Sequence, residues 1–135
     1  GELMCVKGTP FDFNEPCAIG ERVNAEHPQL KAGAGYDHNW IIDREDNGEV
    51  MKVADVYSPK SGRGMEVYTD QVALQFYCGN FLAGDKGKDG VCYCFRGGVC
   101  LETQFYPDAV NHPEWKQPFV KAGTPYHSET KYIFG

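Results

Sequence analysis

Short apolar runs of period two, separated by tight turns, are the feature that most limits what this 135-residue chain can fold into. Leu74, Phe76 and Cys78 alternate with Gln75 and Tyr77, so a strand through this segment has one apolar and one polar face. The other runs of this character lie at residues 50–57, 64–69, 91–95, 99–104 and 126–134. The pattern predicts several short strands, each with one buried face.

Clusters of Gly, Pro, Asn, Asp and Ser separate these runs and are typical of tight turns. They occur at residues 46–48, 58–62, 84–90 and 97–98. Neighbouring strands joined in this way form hairpins, so the sequence predicts an all-β, antiparallel fold. We expect one short helix within residues 16–27. We also expect two irregular loops, at residues 33–40 and 107–118, where binding and catalytic groups commonly lie. No repeat or linker divides the chain, which predicts a single domain over residues 1–135.

The charge of the chain narrows its range of partners. It has 19 acidic and 13 basic residues, a formal net charge of −6 and a pI of about 5.1. Nucleic-acid binding and membrane-surface binding both rely on clustered basic residues, so neither is expected here. No apolar run approaches the roughly 18 residues of a membrane span.

Six cysteines are too few for a disulfide scaffold, and the first residues do not form a signal peptide. We therefore expect free thiols and a cytoplasmic location. Cys92, Cys94 and Cys100 are expected to pack as small apolar residues. No His and Cys spacing typical of a zinc site occurs, and no phosphate-binding glycine loop is present, so no metal or cofactor is expected.

Glu102 is the first candidate for chemistry, because it lies in a run of otherwise uncharged residues at 99–104. A carboxylate half-buried in a pocket has a raised pKa and serves as a general base near neutral pH. The alternative is an ordinary exposed residue on the outer face of a sheet.

Two further groups have the chemistry of sugar binding. Asp37 and His38 lie in a run of Gly, Tyr, Asn and Trp that offers hydrogen-bonding groups and aromatic faces. Gln75 and Tyr77 share one strand face and can point into one cleft. The alternatives are a turn capped by Asp37 and ordinary cross-strand contacts of Gln75 and Tyr77.

An ordered set of short motifs runs along the chain. The motifs are Gly8-Thr9-Pro10-Phe11-Asp12-Phe13, Gly35-Tyr36-Asp37-His38-Asn39, Ser61-Gly62-Arg63-Gly64-Met65-Glu66-Val67-Tyr68-Thr69, Leu74-Gln75-Phe76-Tyr77, Gly79-Asn80-Phe81-Leu82, Leu101-Glu102-Thr103-Gln104, Pro107-Asp108-Ala109 and Asn111-His112-Pro113. In this order they closely resemble the C-terminal half of the aldose 1-epimerase (galactose mutarotase) family. The resemblance runs from about Val6 to the end of the chain, and no single motif carries it alone.

The resemblance implies an antiparallel β-sandwich of the galactose mutarotase-like supersandwich type. It implies an isomerase that interconverts the α- and β-anomers of free hexoses such as galactose and glucose, without cofactor or metal. In this family the glutamate of the Leu-Glu-Thr-Gln motif, here Glu102, is the catalytic base. Asp37, Gln75 and Tyr77 match sugar-binding positions.

The resemblance also implies that part of the machinery lies elsewhere. The family's general acid is a histidine of the N-terminal half, and its motif is absent from this sequence. None of the four histidines here is assigned that role. We expect the chain, which starts at Gly1, to be the C-terminal portion of the domain and to need the missing N-terminal half as its partner. The alternatives are a carbohydrate-binding β-sandwich without catalysis and a truncated, inactive homologue.

Overall fold

The structure is a computed structural model that describes residues 1–135. It is mostly β, with two short helices at its N-terminal end and two single turns of 3₁₀ helix, at Lys88–Gly90 and Ala109–Asn111. The helices are α1 (Ile19–Arg22) and α2 (Pro28–Ala32). The strands are β1 (Asp37–Ile41), β2 (Met51–Ser58), β3 (Arg63–Thr69), β4 (Ala73–Tyr77), β5 (Asp85–Lys86), β6 (Cys92–Tyr93), β7 (Cys100–Gln104) and β8 (Thr130–Phe134).

The strands form three sheets, and the chain divides into two compact units. The strand orders are β1-β4-β7, β2-β3-β8 and β5-β6. Unit 1 comprises Gly1–His38 and Phe76–Cys100, and unit 2 comprises Asn39–Gln75 and Leu101–Gly135. No helix is long and apolar enough to cross a membrane.

Aromatic side chains form the core of unit 1 around Tyr36. Its ring is completely buried, stacks on Phe76 with 5.3 Å between ring centroids, and meets the edge of Phe13 at 5.2 Å. The Tyr36 hydroxyl donates a hydrogen bond to the carbonyl oxygen of Pro10 at 2.8 Å. Burial raises the pKa of Tyr36 to about 12, because an ionised phenol loses its hydration there.

The antiparallel sheet β2-β3-β8 is the framework of unit 2. Along β3, Val67 and Thr69 are fully buried, whereas Glu66 and Tyr68 are only half-buried and hydrogen-bond to each other at 3.0 Å. Lys52, on the neighbouring strand, pairs with Glu66 at 3.3 Å. This alternation confirms the period-two prediction for residues 64–69.

Comparison with the predicted elements shows close agreement for most of them, with differences in strand length and in three further features. The short helix in residues 16–27 and the strand runs are confirmed, although only Cys92–Tyr93 of residues 91–95 and Thr130–Phe134 of residues 126–134 are strands, and β5 lies within the turn predicted at residues 84–90. Helix α2 was not predicted, because its five residues are too few to show helical periodicity. The irregular loop predicted at residues 33–40 is wrong in its second half, since β1 begins at Asp37.

The third difference concerns the cysteines. All six are free, as predicted, but Cys92, Cys94 and Cys100 are exposed, so their expected burial is wrong. Cys92 lies in the two-stranded ribbon β5-β6, and such a ribbon has too few strands to bury a face of its own. Cys78, next to β4, is buried.

Candidate functional site

The turn at residues 33–36 brings the chain from α2 into β1. At the end of α2 the N–H of Gly33 donates to the carbonyl of Gln29 at 3.0 Å, and the N–H of Gly35 donates to that of Leu30 at 2.9 Å. Gly35 has φ +137°, a backbone conformation that side chains rarely adopt. The turn ends at Tyr36, which is buried in the core of unit 1, and the next residue, Asp37, is exposed.

His38 holds the backbone of Asp37 in place. The Asp37 N–H donates to Nδ1 of His38 at 3.0 Å, so this nitrogen carries no proton. The imidazole packs edge-on against Phe11, with 4.8 Å between the centroids. Burial lowers the pKa of His38 and favours the neutral ring that this hydrogen bond requires.

Tyr77 ends β4 with its side chain half-buried. Its hydroxyl oxygen accepts the backbone N–H of Phe81 at 2.9 Å, and the two rings lie nearly parallel with 6.2 Å between centroids. A phenol that accepts one hydrogen bond still has its own O–H to donate. Tyr77 therefore offers a fixed donor and an aromatic ring.

Glu102 is the central residue of β7 in unit 2, and its side chain is exposed. Its neighbour Leu101 is buried, and Thr103 is half-buried with its hydroxyl 2.6 Å from that of Thr130. The Leu101 carbonyl accepts a hydrogen bond from the hydroxyl of Tyr132 at 2.8 Å. Because successive strand residues point to opposite faces, Glu102 lies on the face away from Leu101.

Gln75 occupies the middle of β4, which is the central strand of the sheet β1-β4-β7. It is half-buried, whereas Leu74 and Phe76 on either side are buried. Gln75 and Glu102 therefore lie on adjacent strands, each opposite the buried residues of its own strand. This alternation of buried and half-buried residues along β4 confirms the pattern that the sequence predicted for residues 74–78.

The loop after β7 is held together by its own side chains. The rings of His112 and Trp115 stack with 3.8 Å between centroids. The two ring nitrogens of His112 lie 3.3 Å from a carboxylate oxygen of Asp108 and 3.0 Å from one of Glu114. A hydrogen bond from Asn111 lowers the pKa of Asp108. His112 is thus engaged inside its loop.

Gln117 closes the same loop. Its side-chain nitrogen lies 2.8 Å from the carbonyl oxygen of Ala109, 2.7 Å from that of His112 and 3.0 Å from that of Trp115. Residues 107–118 form no strand, which confirms the irregular loop predicted there. Sequence inspection did not single out Gln117, because nothing local distinguishes it from a solvent-exposed glutamine.

The four predicted site residues divide between the two units. Asp37 and Tyr77 belong to unit 1 and lie on the neighbouring strands β1 and β4. Gln75 and Glu102 belong to unit 2 and lie on the neighbouring strands β4 and β7. No group of three or more His, Cys, Asp or Glu side chains comes together in a way that could hold a metal ion.

Comparison with known proteins identifies the family of the chain. The family model described as aldose 1-epimerase matches residues 1–133. The chain is 41% identical over 135 residues to galactose mutarotase of Sus scrofa, 40% identical over 135 residues to that of Homo sapiens, and 40% identical over 134 residues to aldose 1-epimerase of Escherichia coli strain K12.

These matches cover nearly all of this chain but only part of each relative. They include 98–99% of this chain and 37–38% of the relatives' length. The antiparallel sheets are accordingly those of a partial galactose mutarotase-like fold. On the match over residues 1–133, the chain belongs to the aldose 1-epimerase family.

Proposed function

We propose that this chain is the portion of an aldose 1-epimerase that carries the catalytic base. The reaction is the interconversion of the α- and β-anomers of free hexoses such as galactose or glucose. The observation that carries the proposal is Glu102: in a member of this family, it presents an exposed carboxylate from the middle of a paired strand. A strand holds such a group more firmly than a loop does.

The chemistry requires a base and an acid acting on the same sugar. Glu102 accepts the proton of the anomeric hydroxyl while an acid donates a proton to the ring oxygen, and the bond between that oxygen and C1 breaks. Rotation about the C1–C2 bond turns the other face of the aldehyde toward the hydroxyl that was formed from the ring oxygen. Reversal of both proton transfers closes the ring as the opposite anomer. Each transfer contributes about 10²–10⁴-fold to the rate, and no cofactor is needed.

Three other side chains supply groups for holding the sugar. The Asp37 carboxylate accepts hydrogen bonds from hydroxyls, the Gln75 amide both donates and accepts, and Tyr77 donates from its hydroxyl. What supports these roles is that Asp37 is exposed and that Gln75 and Tyr77 are only half-buried on a strand whose other residues are buried.

The general acid is assigned to the N-terminal part of the domain, which this chain does not include. The chain spans just over a third of the length of the curated relatives that it matches. His112 is stacked and paired within its own loop, and the Nδ1 of His38 accepts a backbone hydrogen bond. The proposed partner of this chain is therefore the N-terminal half of the same fold, with a sugar as the substrate.

The decisive experiment measures the change in optical rotation of freshly dissolved α-D-galactose. The chain is joined to the N-terminal part of the Escherichia coli relative, and Glu102→Gln is compared with the matched control Glu49→Gln, a change at an exposed glutamate outside the strands. We expect Glu102→Gln to lower kcat at least about 100-fold and Glu49→Gln to leave it unchanged. Equal activity of the two variants would contradict the assignment of the base.

A second candidate function is sugar binding without catalysis by the 135-residue chain alone. The observation that favours it is the share of the relatives that the chain covers, 37% of the Sus scrofa protein, together with the presence of Asp37, Gln75 and Tyr77, whose sugar-binding roles are proposed above. We expect the isolated chain to leave mutarotation at its uncatalysed rate and to shift its Asp37 and Tyr77 NMR signals at millimolar galactose. Catalysis by the isolated chain would place an acid within it.

The six free cysteines support a reducing, cytoplasmic compartment for the protein. Four of them, Cys5, Cys92, Cys94 and Cys100, are exposed in unit 1, where an oxidising environment would favour mixed disulfides. Fractionation of the native cells, followed by thiol labelling of the intact protein, tests this. Complete labelling of cytosolic material is the expected result, and recovery of the protein with oxidised cysteines from an extracellular fraction would contradict it.

A further inference from the structure

Asn80 is a buried polar residue in unit 1 that no step of the proposed reaction uses. Asn80 is only 5% exposed. The side-chain nitrogen donates to the carbonyl oxygen of Gly33 at 3.0 Å and to that of Tyr36 at 2.8 Å. These two carbonyls stand at the beginning and the end of the turn at residues 33–36. One amide group thus ties together both ends of the turn that leads into Asp37.

The surroundings determine which way this amide points. The thiol of Cys78, which is also buried, donates to Oδ1 of Asn80 at 2.9 Å. A Cβ atom placed on Gly35 would lie 2.3 Å from the same oxygen, so the glycine leaves the space that the amide occupies. The oxygen therefore faces Cys78 and Gly35, and the N–H groups face the carbonyl oxygens of Gly33 and Tyr36.

Arg96 holds the middle of the same turn. One guanidinium nitrogen donates to the carbonyl oxygen of Ala34 at 2.8 Å, and another donates to Oδ1 of Asn24 at 2.9 Å. Ala34 has φ +54°, an uncommon conformation for a residue with a side chain. Three of the four turn carbonyls, those of residues 33, 34 and 36, thus accept hydrogen bonds from side chains that lie elsewhere in the unit.

We propose that Asn80 is a positioning residue that sets where the carboxylate of Asp37 meets the sugar. The inference rests on the proposed role of Asp37 in sugar binding. Ala34 and Gly35 of the turn have positive φ and Gly33 is also a glycine, so the backbone preferences of the turn do not select one conformation. The hydrogen bonds from Asn80, together with that from Arg96, select it instead. A displacement of about 1 Å at a binding group lowers enzymatic efficiency by up to about 100-fold.

The first test measures amide hydrogen exchange by NMR in the 135-residue chain. Asn80→Ala is compared with Asn14→Ala, a change at an exposed asparagine of the same unit. We expect the amides of Gly35 and Asp37 to exchange at least about tenfold faster in Asn80→Ala, with that of Val67 in unit 2 unchanged. Faster exchange at all amides, or at none, would overturn the proposal.

A second pair of variants serves if Asn80→Ala does not fold. Cys78→Ser keeps a donor for Oδ1 of Asn80, and Cys78→Ala removes it at similar volume. The positioning role predicts faster exchange of Gly35 and Asp37 in the alanine variant and near-normal exchange in the serine variant. Equal exchange in both variants would contradict it.

The last test asks whether Asn80 acts through Asp37, using the enzyme joined to the Escherichia coli N-terminal part. Asn80→Ala is expected to lower kcat/KM for galactose about 10–100-fold, mainly through KM, and to have no further effect when Asp37→Ala is already present. An equal loss in both backgrounds would show a merely structural role and overturn the proposal. If the unmodified assembly is inactive, the proposed function fails, and the exchange measurements alone decide whether Asn80 positions the turn.

Discussion

The two carboxylates with proposed roles, Asp37 in unit 1 and Glu102 in unit 2, are held in contrasting ways. Asp37 follows an irregular turn, and the polar side chains of Asn80 and His38 bind the backbone around it. Glu102 lies in a paired strand, where the burial of Leu101 decides which face it occupies. The position of a carboxylate on a strand is kept by the alternation of buried and exposed residues, which many side chains of the right polarity can provide. The position of one beside a turn depends on individual hydrogen bonds. Substitutions in the two regions should therefore lower the free energy of unfolding by different amounts.

Tyr36→Ala is expected to give the largest loss of stability, because Tyr36 anchors the end of the turn in the core of unit 1. Removal of a fully buried aromatic ring costs about 3–5 kcal/mol of the free energy of unfolding. Urea unfolding followed by circular dichroism measures it. The matched control is Tyr57→Ala, at a tyrosine that is 64% exposed, with an expected cost below about 0.5 kcal/mol. Similar losses in both variants would mean that Tyr36 is not an anchor.

Gly35→Ala is expected to cost about 2–3 kcal/mol, from an unfavourable φ and from overlap with Asn80. Gly48→Ala is the matched control, because Gly48 also has a positive φ but has no atom within 4 Å of the added Cβ. Its expected cost is about 1 kcal/mol. The difference between the two midpoints of urea unfolding measures the overlap. A difference of zero would show that the amide moves aside without cost.

Thr103→Val probes the strand that carries Glu102, and its expected effect is smaller. The change removes the hydrogen bond between the Thr103 and Thr130 hydroxyls at 2.6 Å. The expected cost is about 1 kcal/mol, measured by urea unfolding. Thr124→Val, at an exposed threonine, should be nearly neutral. A loss for Thr103→Val as large as that for Gly35→Ala would remove the contrast between the two regions.

The smallest effect concerns the pH dependence that His38 gives to unit 1. Burial lowers its pKa in the folded state, so the unfolded state binds more protons once the pH falls below the ordinary value of about 6.5. The contribution of His38 is therefore fully present above pH 6.5. It is lost as the pH falls through 6.5 toward the lowered folded pKa.

Urea midpoints measured from pH 7.5 down to pH 5 test this sign. We expect the unmodified chain to lose stability with decreasing pH more steeply than His38→Gln, whereas His127→Gln, at an exposed histidine, should follow the unmodified chain. A steeper loss of stability with decreasing pH in His38→Gln than in the unmodified chain would contradict the inferred lowering of the His38 pKa.

Much of the fold could be predicted because strand periodicity is a local property. The alternation at residues 64–69 and 74–78 correctly identified β3, β4 and their buried faces. Helix α2 was not predicted because five residues make little more than one helical turn. The exposure of Cys92 was not predicted because a cysteine is buried only if other elements cover it, which depends on distant parts of the chain.

The candidate site was predictable only as a set of residue types. Glu102, Asp37, Gln75 and Tyr77 were identified from their motifs, and the structure places all four on strands. Their roles stay predictions. Asn80 could not be identified from the residues alone, because its partners at 33 and 36 lie more than forty positions away. The amide of an asparagine that binds distant carbonyls has the same local sequence context as one in an ordinary turn.

By itself, the sequence determined the strand-rich architecture and the membership of the aldose 1-epimerase family, and it predicted Asp37 and Glu102 as the carboxylates of a candidate site. Alternation and motif order carry these inferences, and both can be read along the chain. Only the tertiary structure decided which polar groups hold Asp37 in place and that Glu102 is exposed while Leu101 is buried. The physical reason is that burial and hydrogen bonding depend on residues that are distant in sequence and adjacent only after folding.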